Sequence, residues 1–422
     1  MAARQIGLVA CCLFFVVSSP LAGQEKDETT GRLKALEERI RALEAEVHAL
    51  KQAQVAATPA VPAASSPTAP AVAQAPTSAP AGTAGQLPVY GGASAGTKVF
   101  NPDIGVIGNF VGVAGRNDIN PLPALSLQES EVSLQAVVDP YARADFFLAI
   151  GEEGIEVEEG YVTFPTVPGG FLVRAGKMRA AFGRVNTFHN HTLPWIDRPL
   201  ATFNLLGGSL AEPDIGIKDA GISVSRILPP LRGIFMEATG EVFRGDSGSL
   251  FKSSRRSDVS LVSHLKSYRD FSESTSLELG GSYGRGHNDV GSDFITQLYG
   301  LDATLRWRPL RRAIYHSFAV RTELFWSRRD QLPSTQRAFG YFGSMEYQLA
   351  RRWFAGGRYD WAERARDATQ HDTSGSLILT FWPSEFNQIR AQFRRTRYAE
   401  HTSNEMLFQF LFTVGAHGAH PF

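Results

Sequence analysis

The stretch EMLFQFLFTVGAHGAHPF, Glu405–Phe422, closes the chain. Met406, Phe408, Phe410, Phe412 and Val414 fall on one face of a period-two run. Glu405, Gln409 and Thr413 fall on the other, with Leu407 and Leu411 between them. Alternation of this kind is a strand signal. A face that apolar must pack on a second sheet or meet lipid, and a soluble domain ends more often in a frayed polar tail.

Upstream residues favour lipid. From about Asn101 the chain is rich in Gly and aromatics, in roughly sixteen alternating runs of the nine to eleven residues that a tilted membrane strand needs. In the run Ile295–Arg308, Tyr299, Leu301, Ala303, Leu305 and Trp307 oppose Thr296, Asp302, Thr304, Arg306 and Arg308. Phe318, Val320, Leu324 and Trp326 oppose Arg321 and Glu323, and Ala142, Ala144, Phe146, Leu148 and Ile150 oppose Arg143 and Asp145. Loop lengths should alternate too. Short turns are expected at 139–140, 166–170, 228–231, 351–352 and 383–385, and long polar loops at 182–217, 244–257, 286–293, 328–337, 363–372 and 397–404. Such segregation, with Trp307, Trp353, Trp382 and Phe386 at one rim and Trp326 and Trp361 at the other, is the pattern of an outer-membrane barrel. The expected fold is therefore all-β, a 16-stranded antiparallel transmembrane β-barrel over 98–422.

The N-terminal part reads differently. Residues 1–23 resemble a secretory signal peptide: Arg4, an apolar core from Ile6 to Val17, then a small-residue exit. Leu8-Val9-Ala10-Cys11 matches a lipoprotein acylation box, but the apolar core continues past Cys11. Cys11 and Cys12 are the only cysteines, so the exported chain would have neither disulfides nor thiolate metal sites. Residues 30–54 carry Leu33, Leu36, Ile40, Leu43, Val47 and Leu50 at a/d spacing, a short coiled coil. Residues 55–97 form an uncharged Ala/Pro-rich linker expected to be disordered. Lys plus Arg and Asp plus Glu each total 42, a balance that argues against nucleic acid as a partner.

The segment VRAGKMRAAFGRVN (Val173–Asn186) resembles the Gly-Lys-x-x-x-x-Phe-Gly stretch of the phosphate-selective porin (O/P) family. So do Tyr161–Pro165, LTFWPSEFNQIRAQFRRT (Leu379–Thr396) and the GAHGAHPF ending. The resemblance implies a sixteen-stranded, usually trimeric diffusion channel of the Gram-negative outer membrane with its coiled coil in the periplasm. It implies outer-membrane lipid, further copies of the chain, the barrel assembly machinery and small solutes (phosphate or other anions) as partners. Phe422 would be the assembly signal read by that machinery.

The candidate pore sites follow from the barrel. The connection from Phe182 to Ile217 is long and aromatic, and folded inward it would narrow the channel with Arg184, His189, His191, Asp197 and Arg198. Arg184 and Arg198 would face the wall as the selecting cations, with Arg328 and Arg329 as exposed counterparts in a surface loop. By parity the lumen wall carries Arg143, Arg174, Arg306, Arg321, Arg358, Arg390 and Arg394 together with Asp145, Asp302 and Glu323. Glu278, Glu346 and Asp360 belong to the same face. No enzyme motif stands out and no cofactor is expected; His189-Asn190-His191 lacks a nearby third ligand in sequence, so no metal is expected either. Two further readings are a barrel-anchored envelope tether and an outer-membrane hydrolase built on a Ser and a His.

Overall fold

The computed structural model describes residues 102–151, 154–208 and 215–415, together with Arg41. The expected signal peptide, coiled coil, linker and terminal Phe422 lie outside the described residues, apart from Arg41, which is helical and exposed. Within the compact unit 79–422 the chain forms a closed antiparallel barrel. Its strands are β1 (Asp103–Arg116), β2 (Leu125–Asp139), β3 (Ala142–Gly151), β4 (Gly154–Val167), β5 (Phe171–Arg179), β6 (Lys218–Leu231), β7 (Ile234–Phe243) and β8 (Ser260–Ser272). They continue as β9 (Thr275–Asn288), β10 (Gly291–Trp307), β11 (Phe318–Arg329), β12 (Gln336–Ala350), β13 (Trp353–Arg364), β14 (Asp367–Ser384), β15 (Asn387–Tyr398) and β16 (His401–Gly415). Each strand pairs with its sequence neighbours, and β16 pairs back onto β1 in the register Phe110↔Phe410. Among the described strands no edge is left open, as a membrane-spanning sheet requires.

Alternation assigns the two faces. In β16, Glu405, Leu407, Gln409 and Leu411 are buried inside, whereas Met406, Phe408 and Phe410 are exposed outside. The same holds for Asp302 and Thr304 against Leu301 in β10, and for Ser374, Ser376 and Thr380 against Leu377 and Leu379 in β14. The outer face is thus an apolar band around a polar interior, the inverse of a soluble core. At the seam, Gly108 sits opposite Phe412, whose ring lies where a Cβ would stand.

The strands run from 9 to 18 residues, longer at their upper limit than a membrane span requires. Three segments expected as long loops are therefore largely strand. Residues 286–293, 363–372 and 397–404 continue ladders such as Glu363↔His371 and Arg397↔Thr402, with tight turns at 289–290, 365–366 and 399–400. Above the apolar band both faces meet water, so polar residues there do not separate strand from loop. Arg328 and Arg329 likewise belong to β11, and Arg329 is buried and ion-paired with Asp289, so it is not a surface-loop cation. The β10–β11 connection, 308–317, is longer than the other connections at its end of the barrel.

Candidate functional site

The connection between β5 and β6 folds onto the inner wall. It carries two short 3-10 turns, Val185–Thr187 and Asn190–Thr192, and one short helix, α1 (Leu200–Leu205). At its base, fully buried Asn186 donates to the carbonyls of Ala180 and Ile217 at 2.8 and 3.0 Å and accepts from the Ile217 amide at 2.8 Å. One side chain therefore ties both ends of the loop together.

Small wall residues make the seat. Phe182 is fully buried against Phe325, with ring centroids 5.7 Å apart, over Gly284 and Gly300. Leu205 of α1 rests on Gly340 beside Ala362. Next to Phe182, Gly183 has a φ of 61° in the left-handed region, where a Cβ would strike the Glu323 carboxylate. That carboxylate accepts the amides of Arg184 and Val185 at 3.1 and 2.7 Å. Gly183 donates its amide to Ser282 Oγ at 2.8 Å.

Across the lumen the loop is clamped by charge. The Asp197 carboxylate contacts Arg358 Nη2 at 3.0 Å and Arg394 Nη1 at 2.9 Å and accepts from Gln392 Nε2 at 2.6 Å. Each guanidinium has a second acid on the wall: Arg358 holds Asp360 at 2.8 Å and Arg394 holds Glu405 at 2.5 Å. Burial works to raise the Asp197 pKa, but Arg358 and Arg394 outweigh it and hold the carboxyl well below the usual range. Arg358 also lies over the Trp195 ring, 4.9 Å from its centroid. Arg390 donates to the loop carbonyls of Leu193 and Trp195.

On the sector formed by β2 to β4, His189 bridges two strands. Its Nδ1 lies 2.6 Å from Glu131 of β2 and 3.2 Å from Glu158 of β4, and its Nε2 lies 2.8 Å from Glu159. Burial disfavours the imidazolium, yet the three carboxylates prevail and hold the His189 pKa well above the ordinary histidine value. Glu158 also pairs with buried Arg179 at 2.7 Å. His191 stands beside the cluster, its Nδ1 3.6 Å from Glu131.

The residues singled out in sequence thus take different places. Arg184 pairs with Glu278 on β9. Arg198 is buried and donates to Asn190 Oδ1 and to the carbonyls of Val185 and Phe188, contacts that hold the loop's own shape. Asp197 joins Arg358 and Arg394. Arg143 pairs with Asp145 at 2.8 Å, Arg174 lies over Tyr161, and Arg321 reaches Glu346 at 3.4 Å. Asp302 is buried on β10 against Gly280. Parity on β2 and β4 also carries Glu129, Glu131 and Glu159 inward, and the β-bulge opposite Phe147/Leu148 brings in Glu158, an acidic sector that the expected wall list lacks.

Below the loop, at the end bearing the turns 351–352 and 385–386, lies a cavity of about 690 Å³. His191, Leu193 and Pro194 of the loop form its ceiling. Its walls carry Arg306, Arg308, Arg321, Arg351, Arg352 and Arg390 against Glu346 and Glu385. A Ser–His pair also exists, His264 Nδ1 to Ser282 Oγ at 2.8 Å. That Ser282 Oγ accepts the Gly183 amide beneath the loop, so the pair serves as a peg in this arrangement.

No family model matches the chain. An uncharacterized protein of Aquifex aeolicus (strain VF5) is 28% identical over 392 residues, covering 77% of this chain and 81% of that one. Among solved structures, the anion-selective porin of Comamonas acidovorans matches with a TM-score of 0.52 at 11% identity, over 74% of this chain and 99% of the porin. OprB of Pseudomonas putida matches at 0.51 and 8% identity, over 75% and 95%, and a loop-deleted OmpT of Vibrio cholerae at 0.51 and 11%, over 74% and 99%. The chain shares the barrel fold of outer-membrane porins.

Proposed function

We propose that this chain is an outer-membrane porin for small hydrophilic solutes that favours anions, with the loop between β5 and β6 as its constriction. The observation that carries this reading is the arginine-rich cavity under the docked loop. Six arginines and two glutamates line it. In a passage of limited width such fields are poorly screened and sort ions by sign. The porin-barrel fold, and the resemblance of the 173–186 segment to phosphate-selective porins, support a channel and an anionic solute, phosphate among the candidates. The trimer and the periplasmic coiled coil belong to the same proposal.

The test is the reversal potential of the purified protein in a planar bilayer under a potassium chloride gradient. Native protein should favour chloride, and Arg306→Gln with Arg321→Gln should move the potential toward cations. A native channel preferring potassium, or a double variant identical to native, overturns the anion reading. Absence of any conductance overturns the channel.

A further inference from the structure

The buried cluster under the loop has a property that its hydrogen bonds do not exhaust. One ring nitrogen of His189, one of His191 and a carboxylate oxygen of Glu131 all lie within 4.8 Å of one another, and all three residues are buried. Glu158 brings a second carboxylate oxygen to 3.2 Å from His189 Nδ1. We propose that these four side chains bind one divalent transition-metal ion of the zinc class, riveting the inward loop to β2 and β4.

Three features support a metal here. The first is the donor set, two imidazoles and two carboxylates, which suits four-coordinate zinc. Ligands at ~2.0–2.2 Å from a tetrahedral ion stand about 3.4 Å apart. Three of the six ligand–ligand separations, at 2.6, 3.2 and 3.6 Å, lie around that value, with Glu131 and His189 each in two of them. The second is the outer partner: His189 Nε2 faces Glu159 at 2.8 Å, the carboxylate–histidine–metal arrangement that fixes a ligand's tautomer. Phe147 packs edge-on to the same ring at 5.1 Å and limits its rotation. The third is charge. Glu129, Glu131, Glu158 and Glu159 are all buried, with the Arg179 guanidinium beside them. Carboxylates taken out of water need cations close by. The ion would displace the His189 Nδ1 proton to solvent and take its place between ring and carboxylates.

The site is independent of what crosses the barrel. It needs a loop pair, His189 and His191, and wall residues that lie far away in the sequence, so its ligands meet only once the loop is seated.

The experiment uses the full chain without an affinity tag, refolded in detergent, stripped with a chelator and checked by heat-modifiable migration on gels. Zn(II) is titrated by calorimetry, and Co(II) replaces it for visible spectroscopy. One equivalent should bind per chain, and the cobalt form should give the intense absorption of a four-coordinate site. Glu159→Gln should weaken binding by about 10- to 100-fold, and His191→Ala by more, whereas His371→Ala on the exposed end of β14 should change nothing. Folded native protein that binds no Zn(II), or binds Co(II) with only weak six-coordinate bands, overturns the proposal without recourse to any variant. Binding unchanged in folded His191→Ala, or lost in His371→Ala, also overturns it.

Discussion

Replacing Asp197 by Asn should loosen the docked loop without dismantling the wall. Asp197 is the loop's carboxylate between Arg358 and Arg394, with its side chain only 18% exposed. Removing one member of a buried pair often costs several kcal/mol because a charge is orphaned. That penalty does not arise here, since Arg358 keeps Asp360 and Arg394 keeps Glu405. The loss is mainly the charge-assisted part of the Asp197 bonds, about 2–3 kcal/mol. At 1.36 kcal/mol per decade this shifts docked against undocked loop by roughly 30- to 150-fold. The loop would still be tied at Asn186 and at Glu323, so it should fluctuate rather than leave. Single-channel recording in planar bilayers should register this as frequent transitions to higher conductance, rare in native protein. Acid supplies a second check. The Asp197 pKa is depressed in the folded state, so its stabilisation is fully present above the unfolded value of about 3.9 and is lost only as pH falls through the lower folded value. Native channels should therefore stay quiet through pH 4 and become noisy only well below it, whereas the Asn variant should be noisy at every pH. Identical traces for the two proteins at pH 7 would refute the constriction, or show that this clamp does not hold it.

Other outcomes follow from the same contacts. Arg184→Glu places a like charge against Glu278 and should shift the reversal potential toward cations, while Arg198→Glu should instead lower the protease resistance of the loop, because Arg198 bonds to Asn190 and to the carbonyls of Val185 and Phe188 within it. Phe182→Ala empties a fully buried niche over Gly284 and Gly300 and should cost about 3–5 kcal/mol in denaturant unfolding. On the proposed trimer held by its barrels, deleting Gly31–Gln54 should leave a trimer by light scattering in mild detergent; a monomer would make the coiled coil the oligomerising element.

The barrel was legible because lipid imposes a strict rule on every strand. Met406, Phe408 and Phe410 must face out while Glu405 and Gln409 must face in, and a reader of residues can apply that alternation directly. Beyond the apolar band the rule lapses. Thr402 and His371 could belong to loop or strand on composition, and only their cross-strand partners Arg397 and Glu363 make them strand. The inward course of the 182–217 segment had a signal in its length and its aromatics. Its anchors had almost none. His189 meets Glu131 and Glu159, 58 and 30 residues away, through barrel curvature that no local pattern encodes. Arg198 looks in sequence like any other loop cation, yet its surroundings turn it inward to the loop's own carbonyls.

The tie at Asn186 and the distant anchors together set an order of events during assembly. The neck joins residues 31 apart and can close as soon as β5 and β6 pair. The His189 contacts to β2 and β4 lie upstream, but the downstream anchors cannot follow at once: Val185 waits for Glu323, 138 residues downstream, Ile196 for Gln392, 196 downstream, and Asp197 for Arg394, 197 downstream. Contacts of such high sequence separation form slowly, because the intervening chain must be gathered first. The loop is thus only partly seated for most of the time the wall is being built, with the side that meets β11, β13 and β15 bare until those strands arrive. Full seating therefore belongs to the late part of assembly, after β11, β13 and β15 have joined the wall.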